Sequence, residues 1–508
     1  MPENIRSLLV VIFIAFVVFK FARNPLTAVS QSLQDFDLRR NTWFGVTLLL
    51  FLSNNFWIFS IGSSLVLFQS ARKDSNPVAL AMLLLFAAPL VSAEVSGLGI
   101  INYLLDLNYF RIISLCIFLP IALRVRKHKG NKRFGSLTPD KFLIFYIFMQ
   151  LTRQIWVDSS TNTMRSAFYI STDIILPYYV ASRSLKTVSV IRDVLTSFVL
   201  ASAIAGAIGF FEFIKHWLLY SSVPSALGIE WDLGGYLTRG DNLRAVASTG
   251  QAIILGYVMA VAIGLYLYTH NFLPNKRVVM LGFGVLGLGL LSPLSRGPWL
   301  GAFLMGVVFI GTGPNAAKDL AKASVLISLV FLAVLATPYG SAIIDHLPFV
   351  GTLDSENVVY RERLYTNSMK VISDNLWFGS YNYMNTPEMQ ELKFSFDGGI
   401  IDLVNSYLGI TLSGGVTSLF AFLGVFVWIV FNLYKSRLRY KNLDPQVSLL
   451  LRSLLATLIG ILLIIATASS ITLVPIVYWL IAGISVAALQ LTSVQEYPAV
   501  ESNTMPVA

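Results

Sequence analysis

Residues 448–491 read SLLLRSLLATLIGILLIIATASSITLVPIVYWLIAGISVAALQL and carry one charged side chain, Arg452. About 20 apolar residues in a row cross the hydrocarbon core of a bilayer as a helix, and this stretch is long enough to do so twice, at 448–468 and 472–491. Backbone N–H and C=O groups inside lipid must be satisfied internally, so such runs are helices unless they close into a barrel. They are too long and too uniformly apolar to be barrel strands.

The same signature recurs along the chain. Further candidate spans are 5–22, 43–68, 78–96, 107–123, 142–157, 166–182, 192–212, 245–268, 278–292, 298–312, 323–341 and 403–433. Composition agrees: of 508 residues, 55% are hydrophobic and 13% charged, with a mean hydropathy of +0.69. A soluble domain carries about twice that charge fraction. The expected fold class is therefore all-α: a polytopic transmembrane helix bundle of about 12–14 spans, with a small helical domain in an extramembrane loop. It is not the composition of a soluble enzyme with one membrane anchor. The segments at 142–157 and 166–182 contain Gln150, Arg153 and Asp173, so they must be buried in the bundle or lie partly in the interface. The single cysteine, Cys116, sits in an apolar run and reads as a small buried hydrophobe. No small-residue cleavage site follows the first helix, which is expected to be retained.

The net charge of +10 does not call for nucleic acid, because basic residues gather in a few loops. The loop at 124–141 holds Arg124, Arg126, Lys127, Lys129, Lys132, Arg133 and Lys141; that at 434–441 holds Lys435, Arg437, Arg439 and Lys441. The short loops at 270–277 and 313–322 are basic too. The positive-inside rule puts all four in the cytoplasm, and the span list places them on one side. The long loops at 213–244 and 342–402 then face outward, into the periplasm of a Gram-negative cell. One conflict stands: the loop at 23–42 contains Arg23, Arg39 and Arg40 yet is counted as outward. Either the run 43–68, interrupted by Asn54 and Asn55, is two half-spans, or the first helix does not span.

The 342–402 loop is expected to form a helical cap. Its stretch YRERLYTNSMKVISD has helical spacing, with Leu364, Met369 and Val371 or Ile372 on one face. The following FDGGIIDLVNSYL reads as a Gly-kinked re-entry. The organisation that emerges is N-terminal spans at 1–190, a core at 191–435 including both outward loops, C-terminal spans at 436–495, and a disordered polar tail at 496–508.

Charges at the membrane edge are costly to place, so each is a candidate site. Four lie on the outward side: Arg239 and Arg244 in TRGDNLRAVASTGQ, Arg296 in the short turn SPLSRGPW, Arg361 and Arg363 in YRERLY, and Asp402 and Asn405 in DLVNSYL. Outward arginines run against the positive-inside trend, and arginine is suited to bidentate recognition of phosphate. A lipid-linked substrate would carry its diphosphate at that depth. Each residue also has a plainer reading. Arg239 fits a solvated loop charge; Arg244 and Arg296 fit anchors paired with an acid; Arg361, Glu362 and Arg363 fit a surface salt-bridge helix; Asn405 and Tyr407 fit a helix start with an interface aromatic. Asp173 and Glu212 read as glue between helices. His128 and His270 lie in cytoplasmic loops and His216 and His346 outside, none with a second ligand at metal spacing, so no metal and no cofactor are expected. No Walker loop, dinucleotide fingerprint or nucleophile elbow is present.

Together these segments resemble the O-antigen ligase and polymerase superfamily of bacterial envelope proteins. The resemblance rests on Arg244 in LRAVASTG, the Ser295-Arg296-Gly297 turn, the arginine-led helix and Gly turn of RERLYTNSMKVISDNLWFGSYNYM, and the re-entry VNSYLGITLSGG. It spans about residues 190–435; the N-terminal third matches only as generic spans. It implies metal-independent glycosyl transfer from an undecaprenyl-diphosphate-linked oligosaccharide at the outer face of the inner membrane. Arg244, Arg296 and Arg361 or Arg363 would hold the diphosphate, with Tyr407 beside them. Chain-length regulators or other polysaccharide-assembly proteins are partners in keeping with that role. Ligases commonly have a histidine just before the Asn of the re-entry motif; here the position is Val404, which cannot carry a proton. That departure favours a polymerase of repeat units over a ligase transferring finished glycan to a lipid or protein. For a base, Asp402, Glu362 and Asp397 are the nearest outward carboxylates, with Asp402 preferred. A transporter or flippase would instead show charges within the spans and repeat symmetry.

Overall fold

The computed structural model describes residues 2–29, 32–97, 99, 102–230, 236–337, 355–395 and 401–494. His346, Asp397 and the tail at 496–508 lie outside the described residues.

The chain opens with α1 (Glu3–Thr27), α2 (Leu33–Leu52), α3 (Phe56–Lys73) and the short α4 (Pro77–Leu84). An antiparallel hairpin follows, β1 (Ser92–Ser96) with β2 (Tyr103–Asn108). Then α5 (Tyr109–Ile113) runs through a π turn at Ser114–Phe118 into α6 (Leu119–Lys127). After α7 (Thr138–Val157), α8 (Ser160–Ile170) passes a second π turn at Ser171–Ile175 into α9 (Leu176–Ser184). Each π turn leads into a proline, Pro120 or Pro177, which lacks the N–H that would continue the i−4 ladder.

The second half holds α10 (Val188–Lys215), the single turn α11 (Val223–Ala226) and the two-residue strands β3 (Thr238–Arg239) and β4 (Asn242–Leu243). It continues with α12 (Ala252–Thr269), α13 (Lys276–Leu291), α14 (Arg296–Gly311), α15 (Ala316–Leu335), α16 (Ser355–Asp374) and α17 (Pro387–Gln390). It closes with α18 (Ser406–Tyr440), α19 (Pro445–Ile465) and α20 (Leu473–Val494).

Among the described residues six helices are long and apolar enough to cross a membrane: α1, α10, α12 with its 3-10 extension, α18, α19 and α20. The protein is a multi-pass, all-α membrane protein. Other expected runs form shorter or more polar helices. The run at 43–68 is the end of α2 and most of α3, parted at Asn54, which takes a φ of 47°, and Asn55, whose side chain caps α3. The run at 78–96 is helical only over α4, and its last residues belong to β1. The expected loop at 23–42 is also mostly helix, because α1 runs to Thr27 and α2 starts at Leu33 under a Ser32 cap.

The core is built by α10, α12, α19 and α20, whose side chains are mostly buried. Small residues let the helices touch. A Cβ on Gly289 of α13 would lie 2.7 Å from Cα of Gly206 on α10, and one on Gly301 of α14 would overlap Ile464 of α19. Outer faces carry exposed apolar side chains such as Phe13, Phe16 and Phe21 of α1, as lipid contact requires.

Contacts between connections sort the bundle into two ends. At one end Trp217 donates to Glu3, Asn4 to the Phe51 carbonyl, and the Phe56 N–H to the Leu227 carbonyl. The segment with α16 and α17 sits there too, and this is called the cap end. At the far end Arg39 of α2 meets Asp74 after α3 and Asp193 of α10, Arg192 meets Gln446, and the Tyr440 hydroxyl donates to the Thr492 carbonyl. The α1–α2 turn is therefore at the far end, together with the basic loops, and Arg39 is drawn inward to two carboxylates. This removes the conflict in the charge pattern.

The cap helix α16 forms as its spacing requires, with Tyr360, Leu364, Val371 and Ile372 buried against Met389, Leu392 and Leu412. Met369, expected on that face, is exposed, and Asn367 and Ser368 are buried in its place. Residues 360, 364, 367/368 and 371/372 follow the helical period; 369 falls outside the stripe.

Candidate functional site: an arginine cluster at the cap end

The site begins with Glu212, fully buried in the last turn of α10. Its carboxylate accepts three backbone N–H groups, from Leu219 at 2.9 Å, Val246 at 2.9 Å and Ala247 at 2.7 Å. This is more than glue between helices: one side chain folds the polar loop after α10 back onto the bundle. A buried carboxylate is tolerated only with such donors. Ala247 adopts a φ of 49°, and Ser248 donates to the Phe86 carbonyl at 2.7 Å. The loop is further pinned by the Ala245 N–H, which reaches the Ser292 carbonyl at 3.2 Å.

That pinning sets two arginines against the α13–α14 turn. Arg244 donates through Nε to the Pro293 carbonyl at 3.1 Å and through Nη2 to Ser295 Oγ at 3.0 Å. Arg239 donates through Nη1 to the Leu294 carbonyl. Leu294 itself has a φ of 49°, a left-handed conformation that costs a non-glycine residue roughly 1–2 kcal/mol. The turn is thus held in a strained shape that presents two successive carbonyls to two arginines. Arg296 follows as the first residue of α14 and is partly buried.

The opposite wall is the α19–α20 connection. A Cβ on Gly297 would overlap Thr467 Oγ1, so the start of α14 lies directly on that connection. Arg361 of α16 donates to the Thr467 carbonyl at 3.5 Å. Crowding by its surroundings pushes the Arg361 guanidinium below its usual value; Asp402 acts in the opposite sense and Arg239 adds to the lowering. Arg361 therefore feels both groups.

Asp402 is exposed and accepts through Oδ1 from Ser469 Oγ at 2.5 Å and from the Val404 N–H at 3.2 Å. Its backbone is gripped by the Tyr360 hydroxyl, which donates to the Asp402 carbonyl at 2.9 Å and accepts from its N–H at 3.0 Å. Burial raises the Tyr360 hydroxyl above its ordinary value.

Arg239, Arg244, Arg296, Arg361 and Asp402 thus meet around two turns, 292–297 and 466–472. The other expected residues have different tasks. Asn405 caps α18, its Oδ1 accepting from the N–H groups of Tyr407 at 2.9 Å and Leu408 at 3.2 Å. Tyr407 ties α18 to α19 through the Leu462 carbonyl at 2.7 Å. Glu362 and Arg363 are exposed on α16. At 100° per residue Arg363 lies about 160° around that helix from Arg361. Val404 packs against the apolar core of the cap. Asp173 is a structural partner, bound by Arg111 at 2.9 Å.

Sequence reading missed Tyr360, Thr467 and Ser469. The one available signal was the hydroxyl cluster Thr467, Ser469, Ser470 and Thr472 within an otherwise apolar stretch. Among the described residues no three His, Cys, Asp or Glu side chains come together as a metal site. Compared with known proteins, the chain matches no protein-family model and no curated protein.

Proposed function

We propose that the protein is a membrane glycosyltransferase that polymerises undecaprenyl-diphosphate-linked oligosaccharide repeat units at the periplasmic face of the inner membrane. The observation that carries this reading is the convergence of four arginines from three separate segments on one pair of turns at the cap end. Orientation follows from the far end, where the connections at 128–137 and 273–277 are basic and α18 ends in Arg437 and Arg439, which makes that end cytoplasmic.

In the reaction an acceptor sugar hydroxyl attacks the anomeric carbon of the donor. The bond from that carbon to the diphosphate oxygen breaks, and undecaprenyl diphosphate leaves with the electron pair. Arginines at fixed positions stabilise the charge that develops on the leaving group, without changing their own protonation. The acceptor proton passes to Asp402, whose Oδ1 is oriented by Ser469 and the Val404 N–H. Arg244 and Arg296 hold the diphosphate, and Arg361 lies between it and Asp402. The Val404 side chain supplies no base, which supports polymerisation over ligase-type transfer.

The test is the product made in cells. Arg296→Ala should reduce polymer by about 100-fold or more, the scale of losing one preorganised transition-state donor, with single-repeat products accumulating while the protein still inserts. Normal chain-length ladders would refute the assignment; long carrier-linked chains would point to a ligase.

A further inference from the structure

The cap helix α16 carries a second apolar stripe besides the one it buries. Val358, Tyr365 and Met369 are between 44% and 63% exposed. At 100° per residue they fall within about 40° of one another on the helix surface. The chain leaving α16 adds Leu376, Trp377 and Phe378, which are exposed too. Arg363, Lys370 and Asp374, also exposed, share another sector of about 40°, centred about 140° from the stripe. We propose that α16 is an interfacial helix, lying in the plane of the cap-side leaflet with this stripe and residues 376–378 seated among the phospholipids.

Ties at its two ends fix the depth of α16. After its last turn the Leu376 carbonyl accepts from the Val416 N–H, and the Trp377 carbonyl from Thr417 Oγ1. The helix from Val416 to Arg437, at the far end of α18, is about 32 Å long, against a hydrocarbon thickness of about 30 Å. At the start of α16, Arg361 reaches the Thr467 carbonyl, and Tyr360 grips Asp402, which Ser469 holds. Ser448 donates to the Arg437 carbonyl at 3.4 Å, so those two residues are level. The helix from Ser448 to Ile465 is about 26 Å long, and Thr467 lies just beyond it. Both ends of α16 therefore meet the bundle at the cap-side edge of the hydrocarbon, and the helix between them runs along the membrane plane.

The surroundings of the stripe choose lipid as its occupant. The stripe borders the buried face of α16 at Ile372, so it lies on the bundle side of the helix, with Glu362 at its outer edge. The charged sector points the opposite way, towards water. The patch is also continuous with surface that already faces lipid. On α18 Val416, Phe420, Val427 and Phe431 are exposed within about 60° of one another, and this row begins where Leu376 and Trp377 are bound. Tryptophan and tyrosine favour this depth, and an amphipathic helix in the interface is held by the apolar area it buries there. Seated in this way, α16 keeps Arg361 at headgroup level. The inference rests on the topology of the bundle and not on the identity of the donor.

The test uses the full-length protein in a Cys116→Ser background, reconstituted into bilayers of phosphatidylethanolamine and phosphatidylglycerol. Nitroxide labels are placed singly at Tyr365→Cys, Met369→Cys, Phe378→Cys, Arg363→Cys and Lys370→Cys, with Phe420→Cys as the lipid-facing reference. Collision rates with oxygen, which concentrates in lipid, are compared with those of a water-soluble nickel chelate. Labels at Tyr365→Cys, Met369→Cys and Phe378→Cys should favour oxygen, as at Phe420→Cys. The preference should invert at Arg363→Cys and Lys370→Cys, although Lys370 is the next residue after Met369. Chelate preference at Tyr365→Cys and Met369→Cys would put the stripe in water and overturn the proposal. Labels there that are shielded from both reagents, or dipolar broadening between two copies of the chain, would put protein on the stripe and overturn it as well. Chain elongation does not enter this readout, so failure of the polymerase assignment would leave the seated helix standing, and failure of the seating would leave the arginine site standing.

Discussion

Arg39 shows how a single side chain organises the far end. It is 1% exposed and forks between two carboxylates, with Nε and Nη2 each 2.7 Å from Asp74, and Nη1 2.7 Å and Nη2 3.0 Å from Asp193. Asn76 completes the group, donating to Asp193 at 2.9 Å. Removing one member of a buried ionic group strands the others, at a cost of about 3–5 kcal/mol. Arg39→Ala should therefore lower the melting temperature in detergent sharply. Arg40→Ala, which loses contacts to the partly exposed Asp37 and to the neighbouring Asn41 Oδ1, should cost less than about 1 kcal/mol. Equal effects would contradict this reading. None of this network was legible in the sequence. The partners of Arg39 lie 35 and 154 residues away, and four charges within LQDFDLRRN look like a solvated loop until their partners are known. The outward arginines could be read, because their anomaly is local: basic residues on the side where the charge rule does not place them.

Among elements, the junction of cap and α18 is the most constrained. Gly415 interrupts α18 with φ 68° and ψ −177°, a region open essentially to glycine alone. The α16–α17 connection seats in this kink: the Val416 N–H reaches the Leu376 carbonyl at 2.9 Å, the Ser380 N–H the Leu412 carbonyl at 2.8 Å, and Thr417 Oγ1 the Trp377 carbonyl at 2.6 Å. A Cβ on Gly415 would overlap that Trp377 carbonyl, and one on Gly379 would lie 2.6 Å from the Gly414 and Gly415 nitrogens. The Gly turn and the Gly pair noticed in the sequence are therefore two halves of one joint. Gly415→Ala should cost roughly 2–4 kcal/mol and speed hydrogen exchange across α16 and α17; unchanged exchange would show that the joint does not hold the cap. A second tie, from Tyr381 to Asp158, holds the Asp158 carboxyl down at about 2. It therefore persists throughout the neutral range. Apolar runs located most of the long helices but not the breaks between them. Three residues, Ser53 to Asn55, suffice to turn the chain, and a window wide enough to detect a span averages over them.

At the scale of the molecule the account is one of two unlike ends. In a Cys116→Ser background, a membrane-impermeant maleimide added from outside should label Asp241→Cys at the cap end. It should leave Lys132→Cys and Ala28→Cys at the far end unlabelled. Labelling of Ala28→Cys from outside would restore the loop at 23–42 to the outward side and break the topology. The central claim, that the cap-end arginines carry polymerisation, meets its most direct test in proteoliposomes supplied only with purified lipid-linked repeat units. The account predicts a ladder of elongated chains with the wild-type protein. The ladder should be lost with Arg244→Ala and with Arg361→Ala, and retained with Arg363→Ala, an exposed position about 160° around α16 from Arg361. A ladder undiminished in the first two variants, or no elongation by the wild-type protein, would contradict it.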